Sequence, residues 1–265
     1  MKPGPMPRGP NTRQGRPRTG TRGSAGPAPD GGRPQVVVNM AMTADGKIAT
    51  STRSVHTFGS ARDGANLHAL RATADAILCG ARTVEETGAT MGNGGQRYGM
   101  ARIRRGLREY PLRVVVSGSG TISPDAEIWR HRFSPILVLT TRRASRARLD
   151  GLRTLADGVW VSPGNTLDWA AALAWLRREH GVRRLVCEGG GEVNDALFRG
   201  GWVDELRVTL CPLVFGGRDA PGIAGGIGVE KIAEAARFEL RGFRRVGDEF
   251  FLIYRRPRAR TAGFH

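Results

Sequence analysis

Residues 184–191 decide the fold class, because they read RLVCEGGG and join an apolar run directly to three glycines. The segment 184–188 has the length and composition of a strand buried on both faces. A predicted helix follows from residue 193 to about residue 199. Free N–H groups at the start of a helix after a glycine turn attract phosphate, although a tight turn without any ligand also explains the triplet.

Similar signals recur on both sides of this unit. Apolar runs predict strands at 36–42, 76–79, 113–117, 136–140, 159–161 and 205–215. Helices are predicted at about 61–73, where Ser60 and Asp63 match a capping box, and from Asn165 or Thr166 to residue 180. The runs 238–246 and 249–255 flank Gly247-Asp248, which is a strong hairpin signal. Strands that alternate with helices and end in a hairpin predict an α/β fold with a mixed sheet.

The composition divides the chain into one body and two basic ends. Residues 1–34 contain eight Pro and eight Gly, carry a net charge of +6 and hold almost nothing apolar that could repay the entropy of ordering. We therefore expect a disordered tail over 1–34, one folded domain over 35–255 and a basic tip over 256–265. Residues 89–110 are rich in Gly and Arg, and their pattern predicts no placement.

The net charge of +17 at first suggests a nucleic-acid-binding protein. The two ends account for most of that charge, and residues 35–254 carry only +7. No zinc-finger spacing, RNA-recognition aromatic motif or basic heptad helix accompanies the charge. We therefore expect no nucleic-acid partner for the body, and binding of nucleic acid by the tail is the alternative function from a different class.

The cysteines and the apolar runs indicate the compartment. Cys79, Cys187 and Cys211 are widely spaced, and the longest wholly apolar run, 169–176, is far shorter than the ~20 residues of a membrane span. His68 has no second His or Cys at ligand spacing. We therefore expect a cytoplasmic protein with reduced thiols, no membrane partner and no metal site.

Two other predicted strands end in residues suited to ligand binding. Gly80 would permit close approach to the backbone, and Arg82 and Thr83 could contact phosphate oxygens, although a surface arginine and a helix cap explain them too. Asp45-Gly46 follows the first strand, where a plain turn is the alternative. In an open α/β sheet such strand ends converge on one crevice.

Together these segments resemble the pyrimidine reductases of the riboflavin pathway, the reductase module of bifunctional deaminase-reductases and their stand-alone relatives. The matching segments, in chain order, are NMAMTADGKIA at 39–49, HALRA at 68–72, Gly80 with Thr83-Val84, EGGG at 188–191, VDEL at 203–206 and FGG at 215–217. The resemblance implies a dihydrofolate-reductase-like three-layer fold with a mainly parallel sheet, NADPH as hydride donor and a homodimer.

The resemblance also implies roles for the matching residues. Those that would hold NADPH are Gly80, Thr83, Gly189, Gly190 and Gly191 for the pyrophosphate and Arg82 for the adenosine 2′-phosphate. Those that would face a pyrimidine-like substrate are Asn39, Asp45 and Glu188, with Ser60 and Asp63 close to the pocket. Glu188 and Asp45 are the candidates for polar contact or proton delivery, and a capping role is the alternative for Asp63.

One stretch departs from the riboflavin enzymes. After Val84 they usually carry Asp-Asp-Pro and a downstream Arg that read the substrate phosphate, whereas this chain reads EETGAT at 85–90. The zinc deaminase motif H-x-E with P-C-x-x-C is also absent from the sequence. We expect an NADPH-dependent reductase whose best-matched substrate is 5-amino-6-(5-phosphoribosylamino)uracil, with reduction of dihydrofolate or of a specialised metabolite as alternatives.

Overall fold

The computed structural model describes residues 32–53 and 58–257. Their strands are β1 Gln35–Thr43, β2 Ala76–Gly80, β3 Leu112–Val116, β4 Ile136–Thr141, β5 Gly158–Ser162, β6 Arg184–Cys187, β7 Glu205–Cys211, β8 Glu239–Val246 and β9 Glu249–Arg255. All nine belong to one sheet in the order β5-β4-β3-β2-β6-β1-β7-β9-β8.

The sheet is parallel from β5 to β7 and antiparallel only where β9 pairs with β7 and with β8. Gly247 turns the closing hairpin with φ +64°, a conformation that favours glycine. The prediction of a mainly parallel mixed sheet with a C-terminal antiparallel hairpin is confirmed.

Helices cover both faces of the sheet and make three layers. They are α1 Ala61–Arg71, α2 Ala81–Thr87, α3 Gln96–Ile103, α4 Glu127–Arg130, α5 Arg146–Leu155, α6 Trp169–Glu179 and α7 Gly191–Arg199. One core lies under α6 and α7 and contains Leu78, Leu173 and Leu197. A second lies on the opposite face around Ile77 and Val138. Each fully buried aliphatic side chain of this kind contributes roughly 1.5–3 kcal/mol.

Three predicted boundaries were wrong. Strand β7 ends at Cys211 rather than at residue 215, because Pro212 has no N–H to donate to the ladder. Helix α6 begins after Asp168, whose carboxylate accepts the N–H of Ala171 at 3.0 Å, and not at residue 165 or 166. Helix α7 begins at Gly191, two residues earlier than expected.

The segment 89–110, for which the sequence predicted no placement, packs against α1 through α3. Arg102 in this segment is only 1% exposed, and its guanidinium donates to the carbonyl of Arg71 and, at 2.7 Å, to that of Ala74. A cation bonded to the last carbonyls of a helix satisfies acceptors that the helix leaves open. The segment therefore fixes the C-terminal end of α1.

The described ends of the chain are attached to the body. Arg33, which the sequence grouped with the tail, donates two hydrogen bonds of 2.7 Å to the carboxylate of Asp204. The predictions for the rest of the tail and the tip fall mostly on residues 1–31 and 258–265, outside the described part. Over the described ranges, no helix combines the length and the apolar character that crossing a membrane requires.

Candidate functional site

The site lies where β2, β6 and β1, neighbours in the sheet, reach their carboxyl ends. The end of β2 and the glycine turn after β6 are hydrogen-bonded, because the N–H of Gly80 donates to the carbonyl of Gly189 at 3.0 Å. The carboxyl ends of parallel strands are where open α/β sheets bind ligands. Two of the three predicted strand-end segments therefore meet directly.

Gly80, Thr83 and the triplet Gly189, Gly190 and Gly191 form a cluster that we call the glycine cleft. A Cβ on Gly190 would lie 3.5 Å from Thr83 Oγ1 and 3.6 Å from the Cα of Gly80. Gly189 and Gly190 have φ values of +113° and +74°, which side-chain-bearing residues rarely adopt. The cleft therefore depends on glycine both for its backbone conformation and for its free space.

The first turn of α7 opens into the glycine cleft. Its N-cap is Gly190, which supplies no side-chain hydrogen bond to the helix. The first N–H groups of a helix have no intrahelical acceptor and carry a partial positive charge, so they suit a phosphate group. An uncapped helix start beside two strand-end glycines fits the pyrophosphate of a nicotinamide nucleotide.

Arg82 lies at the mouth of the same cleft. Its guanidinium is 3.2 Å from the carboxylate of Glu192, and the two side chains are 58% and 71% exposed. An ion pair this exposed contributes at most about 1 kcal/mol and opens readily. Arg82 is therefore available to a ligand at the start of α7.

Glu188 is held by an arginine that the sequence did not single out as a site residue. Arg71 donates from Nε to Oε1 at 2.7 Å and from a terminal nitrogen to Oε2 at 2.6 Å. The other terminal nitrogen of Arg71 donates to the carbonyl of Gly92 at 2.8 Å. Burial lowers the pKa of Arg71, but the charge and hydrogen bonds of Glu188 raise this pKa by more than burial lowers it. The net shift of the pKa is therefore upward.

Three titratable side chains beside this pair, those of His68, Cys79 and Cys187, are neutral near pH 7. Burial and the charge of Arg71 lower the pKa of His68, against a smaller upward effect of Glu188. Burial raises the pKa of the Cys79 thiol, and that of Cys187 to about 12. The pair of Arg71 and Glu188 is therefore the charged element at this end of the site.

Asn39 reaches the site from the neighbouring strand. Val38 of β1 is paired with Cys187 of β6, so Asn39 and Glu188 follow that pair side by side. Residues opposite each other on paired strands point to the same face of the sheet. Asn39 is 8% exposed. The register therefore brings together two of the residues expected to face the substrate.

Asp45 lies in the turn after β1 and binds the backbone of a distant loop. It accepts the N–H of Gly216 at 2.8 Å and of Phe215 at 3.2 Å, and the hydroxyl of Thr43 at 2.5 Å. The hydrogen bond from Thr43 lowers the pKa of Asp45, and the two N–H groups lower it further. Asp45 is therefore an ionised anchor of the 215–216 turn near pH 7.

Ser60 and Asp63 lie at the opposite end of α1 from Arg71. Ser60 caps α1, and its N–H and hydroxyl donate to Glu249 at 2.8 and 2.5 Å. Burial raises the pKa of Asp63, a hydrogen bond with Thr209 lowers it, and the charge of Glu249 raises it again. The eight-residue separation of Asp63 and Arg71 in a helix is about 12 Å, so these acids form a separate cluster from the Glu188 group.

One cavity lies away from this site. It has a volume of about 420 Å³ and is lined by Phe133, Ser134, Leu155 and Asp157, at the amino ends of β4 and β5. That is the opposite edge of the sheet from the glycine cleft. The chemistry-bearing strand ends therefore identify the candidate site better than the size of this cavity does.

Arg71 and Glu249 are the charged residues of these clusters that sequence reasoning did not select. Arg71 lies within the HALRA segment that supports the resemblance, so its position was marked even though its pairing with Glu188 was not predicted. Glu249 opens a strand in a tight hairpin, where a charged residue is ordinary. No local pattern distinguishes it.

Known proteins resemble the chain over nearly its whole described length. It is 33% identical over 222 residues to the 2,5-diamino-6-ribosylamino-4(3H)-pyrimidinone 5′-phosphate reductase of Methanothermobacter thermautotrophicus, covering 84% of this chain and 98% of that protein. The protein of the same name from Archaeoglobus fulgidus is 31% identical over 223 residues, with the same coverage. The riboflavin biosynthesis protein RibD of Synechocystis is 28% identical, and the match spans 52% of it.

The fold agrees with these matches. A pyrimidine reductase-like protein from Corynebacterium diphtheriae has a TM-score of 0.72 at 22% identity, covering 85% of this chain and 93% of that one. The family model of the RibD C-terminal domain matches residues 34–252. The chain therefore belongs to the RibD C-terminal domain family, the pyrimidine reductases of riboflavin biosynthesis.

Proposed function

We propose that this protein is an oxidoreductase that uses NADPH to reduce a 6-ribosylaminopyrimidinone 5′-phosphate. The observation that carries the proposal is the contact between the glycine cleft and the Glu188 group across β2 and β6. It provides a phosphate-binding backbone beside a paired carboxylate. The names of its relatives agree with a reductase of a ribosylaminopyrimidinone 5′-phosphate.

The substrate has two close candidates, which differ at ring position 2. The relatives that match over nearly their full length are named for the 2,5-diamino-pyrimidinone, whereas the sequence alone favoured the uracil derivative formed by its deamination. We therefore place the diamino form first and the uracil form second.

Glu188 and Asn39 would orient the substrate. A bound nicotinamide supplies the hydride, and the acceptor is a C=N or C=O bond. The carboxylate of Glu188, already bonded to Arg71, keeps lone pairs for hydroxyl or ring N–H groups of a substrate. This bonding suits a hydrogen-bond acceptor rather than a proton donor, and Asp45 would serve as the anchor of the neighbouring turn.

The glycine cleft would bind the cofactor pyrophosphate through the N–H groups at the start of α7. Thr83 would add its hydroxyl, and Arg82 would leave Glu192 to pair with the adenosine 2′-phosphate, which distinguishes NADPH from NADH. These roles share one requirement, which is that the backbone at Gly80 and Gly190 stays free of side chains.

The test is oxidation of NADPH, followed by absorbance, with the diamino compound, the uracil compound and dihydrofolate as separate acceptors. We expect turnover of at least one pyrimidinone, with the diamino form preferred, and none of dihydrofolate. Turnover of dihydrofolate alone would replace the proposed substrate class. In parallel, NADPH should raise the melting temperature more than NADH does, because only the native state binds it. Lack of a shift with both nucleotides contradicts the proposal.

The homodimer and the cytoplasmic location stay predictions. Leu240, Phe243 and Phe250 are exposed on one face of the closing hairpin, and these are apolar side chains that a second copy would cover. Light scattering of the wild type and of Phe243→Ser would measure the mass. We expect the mass of two chains for the wild type, and a single-chain mass for it would contradict the prediction.

A further inference from the structure

Residues 220–228, which we call the strap, form the second wall of the glycine cleft. A Cβ on Gly191 would lie 3.1 Å from the N of Gly225 and 3.2 Å from the carbonyl oxygen of Gly222. The N–H of Gly225 also donates to the carbonyl of Gly191 at 3.1 Å. The first residue of α7 is therefore in direct contact with the strap.

The first end of the strap is attached to the turn after β1. The Nζ of Lys47 donates to the carbonyl of Ala220 at 2.9 Å. The N–H of Ile48 donates to the carbonyl of Pro221, also at 2.9 Å. The Asp45-Gly46-Lys47 segment thus binds the chain before and at the start of the strap.

The second end of the strap is attached to α7 by Asp195, which is only 4% exposed. Its carboxylate accepts the N–H of Ile227 at 3.0 Å and of Gly228 at 3.1 Å. A Cβ on Gly226 would lie 2.2 Å from Oδ2 of Asp195, so only glycine allows this approach. Asn194, the preceding residue, donates to the carbonyl of Ile223 at 2.8 Å.

These hydrogen bonds are the main restraints on the strap. Four of its nine residues are glycine, and a glycine-rich segment loses much conformational entropy when it is ordered. Burial contributes little at the second end, because the side chain of Ile227 is 86% exposed, whereas Ala220 at the first end is only 5% exposed. Weakening the Asp195 contacts should therefore loosen the second end of the strap.

We propose that Asp195 is a positioning residue for the cofactor, because it holds the strap against the helix start at which the pyrophosphate would bind. This inference rests on the proposed function, which places the nicotinamide nucleotide in the glycine cleft. The carboxylate of Asp195 and the N–H groups that would bind the pyrophosphate belong to the same helix, α7. The strap and the first turn of α7 are therefore aligned together. Without the strap, water reaches the amides and the cleft has one wall.

The test compares Asp195→Asn with Arg199→Gln. Arg199 binds the same carboxylate through Nε at 2.9 Å, and this hydrogen bond involves no strap residue, so its replacement removes the ion pair and leaves the strap bonds. Two quantities are measured without any pyrimidine: hydrogen-exchange protection of the Ile227 and Gly228 amides, and the Kd of NADPH by fluorescence titration.

Asp195→Asn keeps one acceptor oxygen and replaces the other with an N–H donor. We therefore expect it to lose protection at one of the two amides and to raise the Kd about tenfold, and Arg199→Gln to match the wild type. Loss of protection with an unchanged Kd would overturn the inference and leave the proposed function intact. A wild-type protein that binds neither NADPH nor NADH would overturn the proposed function and the inference with it. If Asp195→Asn does not fold, Lys47→Met decides, since it removes one of the two hydrogen bonds at the other end of the strap and should raise the Kd in the same direction.

Discussion

Arg71 donates two hydrogen bonds to the carboxylate of Glu188, and the two side chains are only 11% and 10% exposed. A bidentate pair of an arginine and a carboxylate is more directional than a single contact, and burial shields it from water and salt. Because the pair links the end of α1 to the end of β6, it sets the orientation of the carboxylate at the proposed substrate site.

Replacement of Arg71 should therefore affect both stability and turnover. Arg71→Gln leaves a buried carboxylate without its cation, and we expect the free energy of unfolding to fall by about 3 kcal/mol. Arg71→Lys keeps the charge but not the two parallel N–H donors of the guanidinium. Its kcat/KM for the pyrimidinone should therefore lie between those of the wild type and of Arg71→Gln. Urea unfolding and steady-state kinetics measure the two effects.

Arg33→Gln is the matched control for this prediction. Arg33 makes an equally short bidentate pair with Asp204, but at the amino end of β1 and far from the glycine cleft. It should lose stability and keep the wild-type kcat/KM. An equal loss of kcat/KM in both variants would show that unfolding, and not the Glu188 group, explains the effect.

The segment 89–110 should matter to the same site through Gly94. This glycine has φ +85°, and a Cβ there would lie 2.3 Å from Cγ of His68 on α1. Gly94→Ala should therefore displace the segment that supplies the Gly92 carbonyl to Arg71. Gly106 has φ +74° with nothing within 4 Å of its Cβ position. Gly106→Ala should therefore lower the free energy of unfolding by only about 1 kcal/mol, through the unfavourable backbone conformation alone.

Urea unfolding of both glycine variants, with activity on the pyrimidinone, measures the difference between them. We expect Gly94→Ala to be the less stable variant and the only one of the two with reduced turnover. Equal stability would mean that His68 moves aside at little cost.

Asp63 should make the stability depend on pH in a defined direction. Burial raises its pKa above 3.8, so the folded state binds the proton more tightly than the unfolded state does. The stability that Asp63 contributes is present below 3.8 and is lost as the pH rises through the folded pKa. Asp63→Asn carries no such charge, so its stability relative to the wild type should increase from about pH 4 to about pH 8.

Asp125→Asn is the control, because Asp125 is exposed. Urea unfolding at several pH values gives the difference for each variant. A difference for Asp63→Asn that stays constant across the range, or falls with rising pH, would contradict the assignment.

Arg82 should determine the choice of nucleotide rather than the stability. Its pair with Glu192 is exposed, so Arg82→Gln should change the free energy of unfolding by no more than about 0.5 kcal/mol. If Arg82 binds the 2′-phosphate, the ratio of the Kd for NADH to that for NADPH should fall in this variant. Glu192→Gln frees Arg82 and removes a negative charge from the start of α7, so it should bind NADPH more tightly. An unchanged ratio in Arg82→Gln would exclude the role.

Much of the local structure could be predicted from short patterns. The apolar runs identified β1 to β7, because a strand buried on both faces has to be apolar along its length, and the Gly247-Asp248 turn signal identified β8 and β9. Helices α2, α3, α4 and α5 were not predicted. The boundary at Cys211 was missed although Pro212 marks it, because the apolar pattern continues past the proline to Phe215.

The candidate site likewise contains residues that the local sequence could identify and contacts that it could not. Gly80 and the triplet at 189–191 could be selected as candidates for phosphate binding, since a glycine after a strand has a local signature. The hydrogen-bond partners of Glu188 and Asp45 could not be predicted from the sequence. Arg71 and Glu188 are 117 residues apart, and Asp45 reaches Gly216 across 171.

The sequence by itself determined the α/β class, the strands, the family resemblance and the glycines of the cleft, because each depends on residues within one short segment. Only the tertiary structure decided that β2 and β1 flank β6, that Arg71 rather than water meets Glu188, and that Asp195 holds the strap over Gly191. The physical reason is that these contacts depend on strand order and register. Those are set by the packing of the whole core and not by the residues nearby in the chain.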